Sequence, residues 1–273
     1  MFSEDNGKEL EIDYSQPILE VDGLSFGYTP ERSVIQDISF KMDKPGFTCI
    51  VGPNGVGKST LIKCINGIIK PTSGSVKVYG KDVSTYKLKD LAKVVGYVPV
   101  MAGSYNVMTV LDAVMIGRYA HQKWKTRPED IIIAHKALEA MEIEDLAMRN
   151  FNELSAGQHQ KVSLSRGLVQ EPKLLLLDEP TSNLDIRHQV YVSAFLKRLC
   201  DKSKTSVLMI SHDLNLASKF ADCVIVMGPP GVLYDIGTPQ EVFTKEMIKD
   251  VYNVNCKVID DDGSPHIILE SVG

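Results

Sequence analysis

A glycine-rich segment is the first stretch of the sequence whose residue types could do chemistry. It is a complete G-x-x-x-x-G-K-[ST] motif between a predicted strand and a predicted helix: Gly52-Pro53-Asn54-Gly55-Val56-Gly57-Lys58-Ser59. In such a loop backbone N–H groups wrap phosphates, and the following helix directs its positive end at them. We expect Lys58 to reach the terminal phosphates and Ser59 to offer its hydroxyl to Mg²⁺. The segment therefore predicts a nucleoside triphosphate site.

Two carboxylates form a second candidate site. Asp178 and Glu179 follow the apolar run 174–177, which is typical of a strand buried on both faces. Ligands of open parallel sheets lie at the carboxyl ends of strands, so both side chains should emerge beside the glycine-rich loop. We expect Asp178 to hold Mg²⁺ and Glu179 to orient or deprotonate the attacking water. An Asp-Glu pair by itself could also be only an acidic turn at a strand end.

The elements that must position these residues follow from the sequence pattern. Residues 1–17 are polar and acidic and are predicted to be a flexible leader. Residues 101–153 favour helices, and residues 239–273 predict a short helix over 239–252 followed by a hairpin. Alternating strands and helices indicate a parallel sheet. The other predicted strands are 18–21, 38–42, 47–51, 76–79, 94–98, 206–210 and 223–227, and the other predicted helices are 60–67, 110–118, 128–141, 158–169 and 186–199.

The composition excludes several classes of protein. The 273 residues, 44% hydrophobic and 24% charged, are typical of one or two globular domains. A net charge of -5 disfavours a nucleic-acid partner, and every apolar run is far shorter than the roughly 18 residues of a membrane span. The acidic N-terminus does not resemble a signal peptide, so we expect a cytosolic chain. Five cysteines without a CxxC pair favour reduced thiols.

Further motifs make the chain resemble the nucleotide-binding subunits of ABC transporters over residues 18–238. Leu154-Ser155-Ala156-Gly157-Gln158 resembles the signature motif of that family, with Ala156 where glycine is usual. Ser182-Asn183-Leu184-Asp185 is similar to the D-loop, and Ser211-His212-Asp213 would supply the switch histidine. Phe26-Gly27-Tyr28 places an aromatic ring where the family stacks adenine. By themselves, Ser155 could be only a helix N-cap, His212 a strand-end residue and Tyr28 a packing residue.

The resemblance implies a fold and a set of site residues. The fold would be an α/β P-loop NTPase core with a parallel sheet and an N-terminal antiparallel β part. A helical subdomain at about 101–153 would lie between the glycine-rich loop 52–59, called the Walker A loop, and the signature motif. The domain would span residues 18–238, with a C-terminal extension over 239–273. Glu179 and His212 would be catalytic, and Ser59 and Asp178 would hold Mg²⁺. The ATP-binding residues would be Tyr28, Gly52, Pro53, Asn54, Gly55, Val56, Gly57, Lys58, Ser59 and Thr60, with Ser155, Ala156, Gly157, Gln158 and Asp185 acting in trans.

The resemblance also implies partners. Two copies would face each other head to tail around two ATP molecules and would drive two membrane permease subunits, indirectly served by an extracytoplasmic substrate-binding protein. The chain would be cytoplasmic and peripheral on the inner face of the cell membrane. Three segments resemble the corresponding segments of importers for iron-siderophore complexes, haem and cobalamin: residues 109–121, 184–189 and 212–217. The sequence does not name the cargo.

One position departs from the family pattern. Where the family has a glutamine that contacts Mg²⁺ and the attacking water, this chain has Val100, which can neither donate nor accept a hydrogen bond. We expect hydrolysis to survive at a reduced rate and coupling to transport to be looser or differently triggered, unless Asn106 substitutes. The alternative is an ATP-binding regulatory subunit with little or no hydrolysis. DNA-repair and translation types of ABC protein are disfavoured, because the chain has neither a long heptad repeat nor a second phosphate loop.

Overall fold

The computed structural model describes residues 12–29, 32–100, 108–121, 127–203 and 205–270. Its strands are β1 (Leu19–Thr29), β2 (Arg32–Met42), β3 (Phe47–Val51), β4 (Ser73–Val78), β5 (Lys81–Asp82), β6 (Val95–Val98), β7 (Leu174–Asp178), β8 (Ser206–Ile210), β9 (Cys223–Gly228), β10 (Val232–Gly237), β11 (Cys256–Asp261) and β12 (Ser264–Leu269). Its α-helices are α1 (Lys58–Ile65), α2 (Leu88–Val94), α3 (Val110–Met115), α4 (Pro128–Ala140), α5 (Ala156–Leu168), α6 (Ile186–Ser203), α7 (Leu214–Phe220), α8 (Pro239–Val242) and α9 (Lys245–Tyr252).

A central sheet carries the carboxyl-terminal strand ends predicted to form the site. Its order is β10-β9-β3-β8-β7-β6, and all neighbours are parallel except β9 and β10. Strands β3, β7 and β8 are buried along their whole length, as expected of continuous apolar runs covered on both faces. The ends of β3, β7, β8 and β6 therefore meet at one edge.

The two faces of the central sheet belong to different hydrophobic cores. Leu174 and Leu176 pack with α1 and the antiparallel sheet β2-β1-β4-β5, whereas Leu175 and Leu177 pack with the helices of the 108–203 region. This alternation follows from the two-residue period of a strand. The hairpin β11–β12 and helices α8 and α9 contribute to the second core. The division of the chain into a leader (1–17), an ATPase domain (18–238) and a C-terminal extension (239–273) stays a prediction.

A buried ion pair connects the first helices of the helical region with the segment before β7. Arg118, in the 3-10 helix Ile116–Ala120, donates from Nε to Asp130 Oδ1 at 2.8 Å. Its Nη1 also donates to the carbonyl of Val169 at 2.7 Å and to Glu171 Oε2 at 2.6 Å. Arg118 and Asp130 are 6% and 4% exposed, so the pair acts as an internal polar link between three segments.

The structure confirms the predicted mixture of a parallel sheet, an antiparallel N-terminal sheet and a helical region, and it corrects several elements. Val94 ends α2 and does not start a strand, because the strand begins at Val95. The helix predicted over 239–252 is two helices, since Thr244 caps α9 by accepting from Met247 N. The predicted helix 110–118 continues into a 3-10 turn at Ile116. Strands β5 and β10 and helix α2 were not predicted.

Within the described ranges, no helix combines the length and apolar character that a membrane crossing requires.

Candidate active site

The phosphate loop joins the end of β3 to the start of α1. Gly52 has a φ of +150°, and a Cβ there would lie 2.3 Å from the carbonyl oxygen of Met227, so the turn tolerates only glycine. Lys58 Nζ donates to the carbonyls of Gly52 and Pro53, each at 2.7 Å. Burial lowers the pKa of Lys58, and the nearby carboxylates of Glu179 and Asp178 oppose this effect. The loop thus surrounds the ammonium group of Lys58, whose N–H donors can bind an anionic ligand in place of these carbonyls.

The first carboxylate lies beside this loop. Ser59 Oγ donates to Asp178 Oδ1 at 2.9 Å. Burial raises the pKa of Asp178, as does the charge of Glu179, whereas the hydrogen bond from Ser59 lowers it. A hydroxyl and a buried carboxylate are oxygen ligands of the kind that Mg²⁺ takes together with substrate phosphates. In the described part of the chain no group of three or more His, Cys, Asp or Glu could hold a metal by itself.

The second carboxylate contacts His212, the residue that the sequence analysis expects to be the switch histidine. Glu179 follows the end of β7 with a φ of +51°, an uncommon left-handed conformation for a non-glycine residue. Its Oε1 lies 2.5 Å from Nε2 of His212. Both line a cavity of about 350 Å³ together with Gly57, Lys58 and Ser59. The arrangement places a carboxylate, an imidazole and a lysine around one space large enough for phosphate groups.

Tyr28 lies at a neighbouring cavity of about 400 Å³ that also contains the phosphate-loop residues 53–56. The ring is 63% exposed and packs edge-to-face on Phe26 at a centroid distance of 5.0 Å. A supported but exposed aromatic face is suited to stack a nucleobase. The same cavity is lined by residues that the sequence analysis did not single out, because they come from distant segments: Arg32, Ser33, Val34, Pro229 and Pro230.

The signature residues form a separate surface. Ser155 caps α5 by accepting from Gln158 N at 3.3 Å, and Gln158 Oε1 accepts from Ser155 N at 2.9 Å, which confirms the N-cap. Ser155, Gly157, Gln158 and Asp185 line one cavity of about 490 Å³, whereas Ala156 is exposed beside it. This cavity shares no lining residue with the cavity at the phosphate loop. A single chain therefore presents the two predicted halves of the ATP site on different surfaces.

Val100 lies at the edge of the sheet where hydrolysis is predicted. Val98 pairs with Leu177, so Val100 and Glu179 each stand two residues beyond a paired position on adjacent strands. Val100 is half-buried. Its side chain brings no polar atom to this edge. Asn106, the predicted substitute, lies outside the described residues.

Comparisons with known proteins show the family of the chain. The family model of the ABC transporter domain matches residues 35–182, more than half of the chain. The chain is 43% identical over 251 residues to an uncharacterized ABC transporter ATP-binding protein of Methanocaldococcus jannaschii, covering 92% of this chain and 97% of that protein. It is 34% identical to the iron(3+)-hydroxamate import ATP-binding protein FhuC of Bacillus subtilis, covering 89% and 90%.

Solved structures are similar as well. A metal-chelate type ABC transporter in an inward-facing conformation matches with a TM-score of 0.79 and 28% identity, over 94% of this chain and 98% of that one. A dimeric ATP-binding cassette in a post-hydrolysis state, bound to ADP and Pi, matches with a TM-score of 0.74 and 25% identity, over 81% and 98%. The chain belongs to the ATP-binding subunits of ABC transporters, and its activity is that of a nucleotide-binding ATPase.

Proposed function

We propose that this chain hydrolyses ATP to power uptake of an iron chelate or a related metal chelate through a membrane permease. ATP hydrolysis is supported by one observation: a single cavity is lined by Lys58, Ser59, Glu179 and His212, and Ser59 donates a hydrogen bond to Asp178. The import part is supported by the similarity to FhuC of Bacillus subtilis and to the metal-chelate transporter structure. Both comparisons favour a hydrolysing subunit over the regulatory alternative.

Binding is the first step that the site residues would perform. The backbone of residues 52–57 and the N-terminus of α1 offer N–H donors, and Lys58 would move its donors from the carbonyls of Gly52 and Pro53 to the terminal phosphates. Tyr28 would stack on the nucleobase. Ser59 and Asp178 would hold Mg²⁺, which, when bound, neutralises charge on the phosphates.

Cleavage would then depend on the pair at the ends of β7 and β8. Glu179 would accept a proton from the attacking water or orient it, because it is the carboxylate that faces the cavity without a bond to Ser59. His212 would hold the Glu179 side chain in place and donate toward the terminal phosphate. Since Val100 adds no hydrogen-bonding group at this edge, the water would be oriented by fewer groups and hydrolysis would be slow.

A second copy of the chain would complete each site. The signature residues Ser155 to Gln158, with Asp185 nearby, line a cavity apart from the phosphate loop, so they can reach a nucleotide only across an interface. The dimeric state of the similar cassette bound to ADP and Pi supports a dimer here, whose head-to-tail arrangement is part of the proposal. ATP would act as a ligand with higher affinity for the closed dimer, which is what a population shift requires.

The permease would dock where apolar side chains lie exposed beside the helical region. Leu88 of α2 and Tyr119 of the neighbouring 3-10 helix are 84% and 75% exposed, and Ile116 is 44% exposed. Helix α2 and this 3-10 helix pack against each other and α2 also contacts the strand that ends before Val100, so we infer that these exposed apolar side chains belong to one docking area. We place the chain on the cytoplasmic face of the cell membrane, served indirectly by an extracytoplasmic binding protein.

The enzymatic part is tested by Mg²⁺-ATP hydrolysis of the native chain and of Glu179→Gln at equal concentration. We expect measurable turnover that the substitution abolishes, together with an ATP-dependent dimer of Glu179→Gln in light scattering. Native turnover no higher than that of Glu179→Gln would support the regulatory alternative. A monomer in the presence of ATP would contradict the closed dimer.

The cargo is tested in cells whose own copy of the gene is deleted. Uptake of iron-55 hydroxamate, haem and radiolabelled cobalamin is compared after complementation with the native chain or with Glu179→Gln. We expect uptake of one cargo to fall on deletion and to return only with the native chain. If uptake of all three is unchanged while the purified chain hydrolyses ATP, the import assignment is wrong and the ATPase assignment stands.

A further inference from the structure

The cavity beside Tyr28 is lined by further residues that have no role in the proposed stacking of Tyr28 on the nucleobase. Besides Tyr28 and the phosphate loop, it is lined by Pro229 and Pro230 in the turn between β9 and β10, and by Arg32 at the start of β2. Its volume of about 400 Å³ lies within the range of pockets for small ligands. Two regions far apart in sequence, Tyr28 with residues 32–34 and the Pro229–Pro230 turn, thus enclose the space next to the phosphate loop.

The proline turn is held rigidly at this cavity. The carbonyl of Gly231 accepts from Gln36 N at 2.9 Å, and Gly231 N donates to the carbonyl of Gly228 at 2.9 Å. Gly231 has a φ of +107°, and a Cβ there would lie 2.0 Å from the carbonyl oxygen of Val34. The turn therefore lies directly on β2, and its two pyrrolidine rings form a preformed apolar wall.

Arg32 is the one side chain with a formal charge among the residues that line this cavity. It is exposed, and no carboxylate in the described ranges forms an ion pair with it. A guanidinium carries only donors, arranged as a planar fork. The edge of guanine presents two adjacent acceptors, N7 and O6, whereas adenine presents one acceptor, N7, beside an amino donor.

We propose that the Pro229–Pro230 turn and Arg32 complete the nucleobase pocket with Tyr28, and that they make it a purine pocket in which GTP binds at least as well as ATP. The proline rings pack on the purine, and Arg32 donates to N7 and O6 of guanine or to N7 of adenine. The proposal rests on the nucleotide being bound at the phosphate loop as proposed above. It goes further because it assigns base selectivity to residues outside the recognised motifs.

The test measures dissociation constants of ATP, GTP and CTP by competition with a fluorescent trinitrophenyl-ATP probe, without Mg²⁺ so that no hydrolysis occurs. We compare the native chain with Arg32→Ala, Arg32→Lys and Pro230→Ala. Lys44→Ala is the matched control, because Lys44 is an exposed cation that lines none of the nucleotide cavities. Circular dichroism melting verifies that each variant is folded. If Arg32→Ala does not fold, the dissociation constants of Arg32→Lys are compared with those of the native chain instead.

We expect GTP to bind the native chain at least as tightly as ATP, and CTP to bind more weakly. Arg32→Ala should weaken GTP binding about tenfold and ATP binding clearly less, because a bidentate contact is lost only with guanine. Arg32→Lys should restore only part of the loss, since an ammonium cannot form the fork. Pro230→Ala should weaken ATP and GTP by the same factor, about threefold, and Lys44→Ala should change nothing.

Equal effects of Arg32→Ala on ATP and GTP, or no effect on either, would overturn the proposal, as would a native preference for ATP over GTP. These outcomes differ from failure of the nucleotide site itself. In that case the native chain would bind none of the three nucleotides, or Lys58→Ala would bind them as well as the native chain does.

Discussion

Nε2 of His212 lies 2.5 Å from Oε1 of Glu179 at the ends of two adjacent strands. Strand β7 pairs with β8 in parallel, with Asp178 opposite Ile210, so the residues that follow each strand emerge side by side. The contact fixes the direction of the Glu179 carboxylate toward the cavity that Lys58 also lines. Because we propose that the two side chains act on the same reacting groups, their substitutions should not have independent effects.

For this pair we expect that Glu179→Gln and His212→Ala each lower the ATPase rate by about a hundredfold or more, as loss of a general base does. The double variant should be little slower than the slower single variant, because residues that act as a unit are non-additive. Steady-state rates at saturating ATP measure this. His135→Ala, which removes an exposed histidine of α4, is the control and should keep the native rate. Losses that multiply in the double variant would contradict a shared role.

Val100→Gln should raise the ATPase rate, by about two- to tenfold, because it adds a donor and an acceptor at the edge that carries Glu179. Phosphate release from the purified chain measures the rate. Val100→Ala is the matched control, since it shortens the side chain without adding a polar group. The hypothesis fails if Val100→Gln leaves both the ATPase rate and transport unchanged, or if Val100→Ala raises the rate equally.

Mixing two inactive variants tests whether each ATP site is shared between copies. Lys58→Ala removes the cation of the phosphate loop, and Ser155→Asn removes the signature hydroxyl but keeps a residue that caps α5. We expect each variant to be inactive alone and their mixture to regain ATPase activity, because a mixed dimer contains one intact site. An inactive mixture, with mixed dimers demonstrated by affinity tags, would contradict the composite site.

Nucleotide should stabilise the native chain and not Lys58→Ala. At a hundred times its Kd, a ligand that binds only the folded state adds about 2.7 kcal/mol, which raises the Tm of a chain of this size by roughly 5–10 °C. Differential scanning fluorimetry with ADP measures the shift without hydrolysis. Lys219→Ala, which removes an exposed lysine of α7, should show the same rise in Tm as the native chain. A full shift in Lys58→Ala would show that nucleotide binds elsewhere.

The buried pair of Arg118 and Asp130 should stabilise the fold in a pH-dependent way. Burial by itself would raise the pKa of Asp130, but the hydrogen bonds from Arg118 and from Arg127 N hold it below its usual value. A lowered pKa stabilises the folded state above the unfolded value near 4, and this contribution is lost as the pH falls through the folded pKa.

Asp130→Asn should therefore cost about 2–3 kcal/mol of unfolding free energy at pH 7, and the difference from the native chain should shrink below about pH 4. Urea unfolding at several pH values measures this. Glu171→Gln removes the exposed partner of Arg118 and should cost at most about 1 kcal/mol. A cost of Asp130→Asn that does not vary with pH would show that the charge of Asp130 is not the stabilising feature.

Much of the site is local in sequence and could be predicted. The phosphate loop is a contiguous strand, turn and helix, and the N-cap of α5 needs only Ser155 and Gln158. The element errors also have local causes. The apolar residues Leu91, Val94 and Val95 do not reveal where helix α2 ends and strand β6 begins, because all three pack in the same core. Strand β10 was missed because none of its residues is fully buried.

The sequence by itself determined the chemistry that the chain carries: a loop for phosphates, two carboxylates after a buried strand and a histidine after another. The tertiary structure decided which of these groups meet. Pro230 shares a cavity with Arg32 because β2 of the antiparallel sheet lies against the turn between β9 and β10, where Gln36 N donates to the carbonyl of Gly231. Asp178 reaches Ser59 because the sheet order β10-β9-β3-β8-β7-β6 brings the ends of β7 and β3 to one edge. That order depends on long-range packing of whole faces, which no short stretch of sequence encodes.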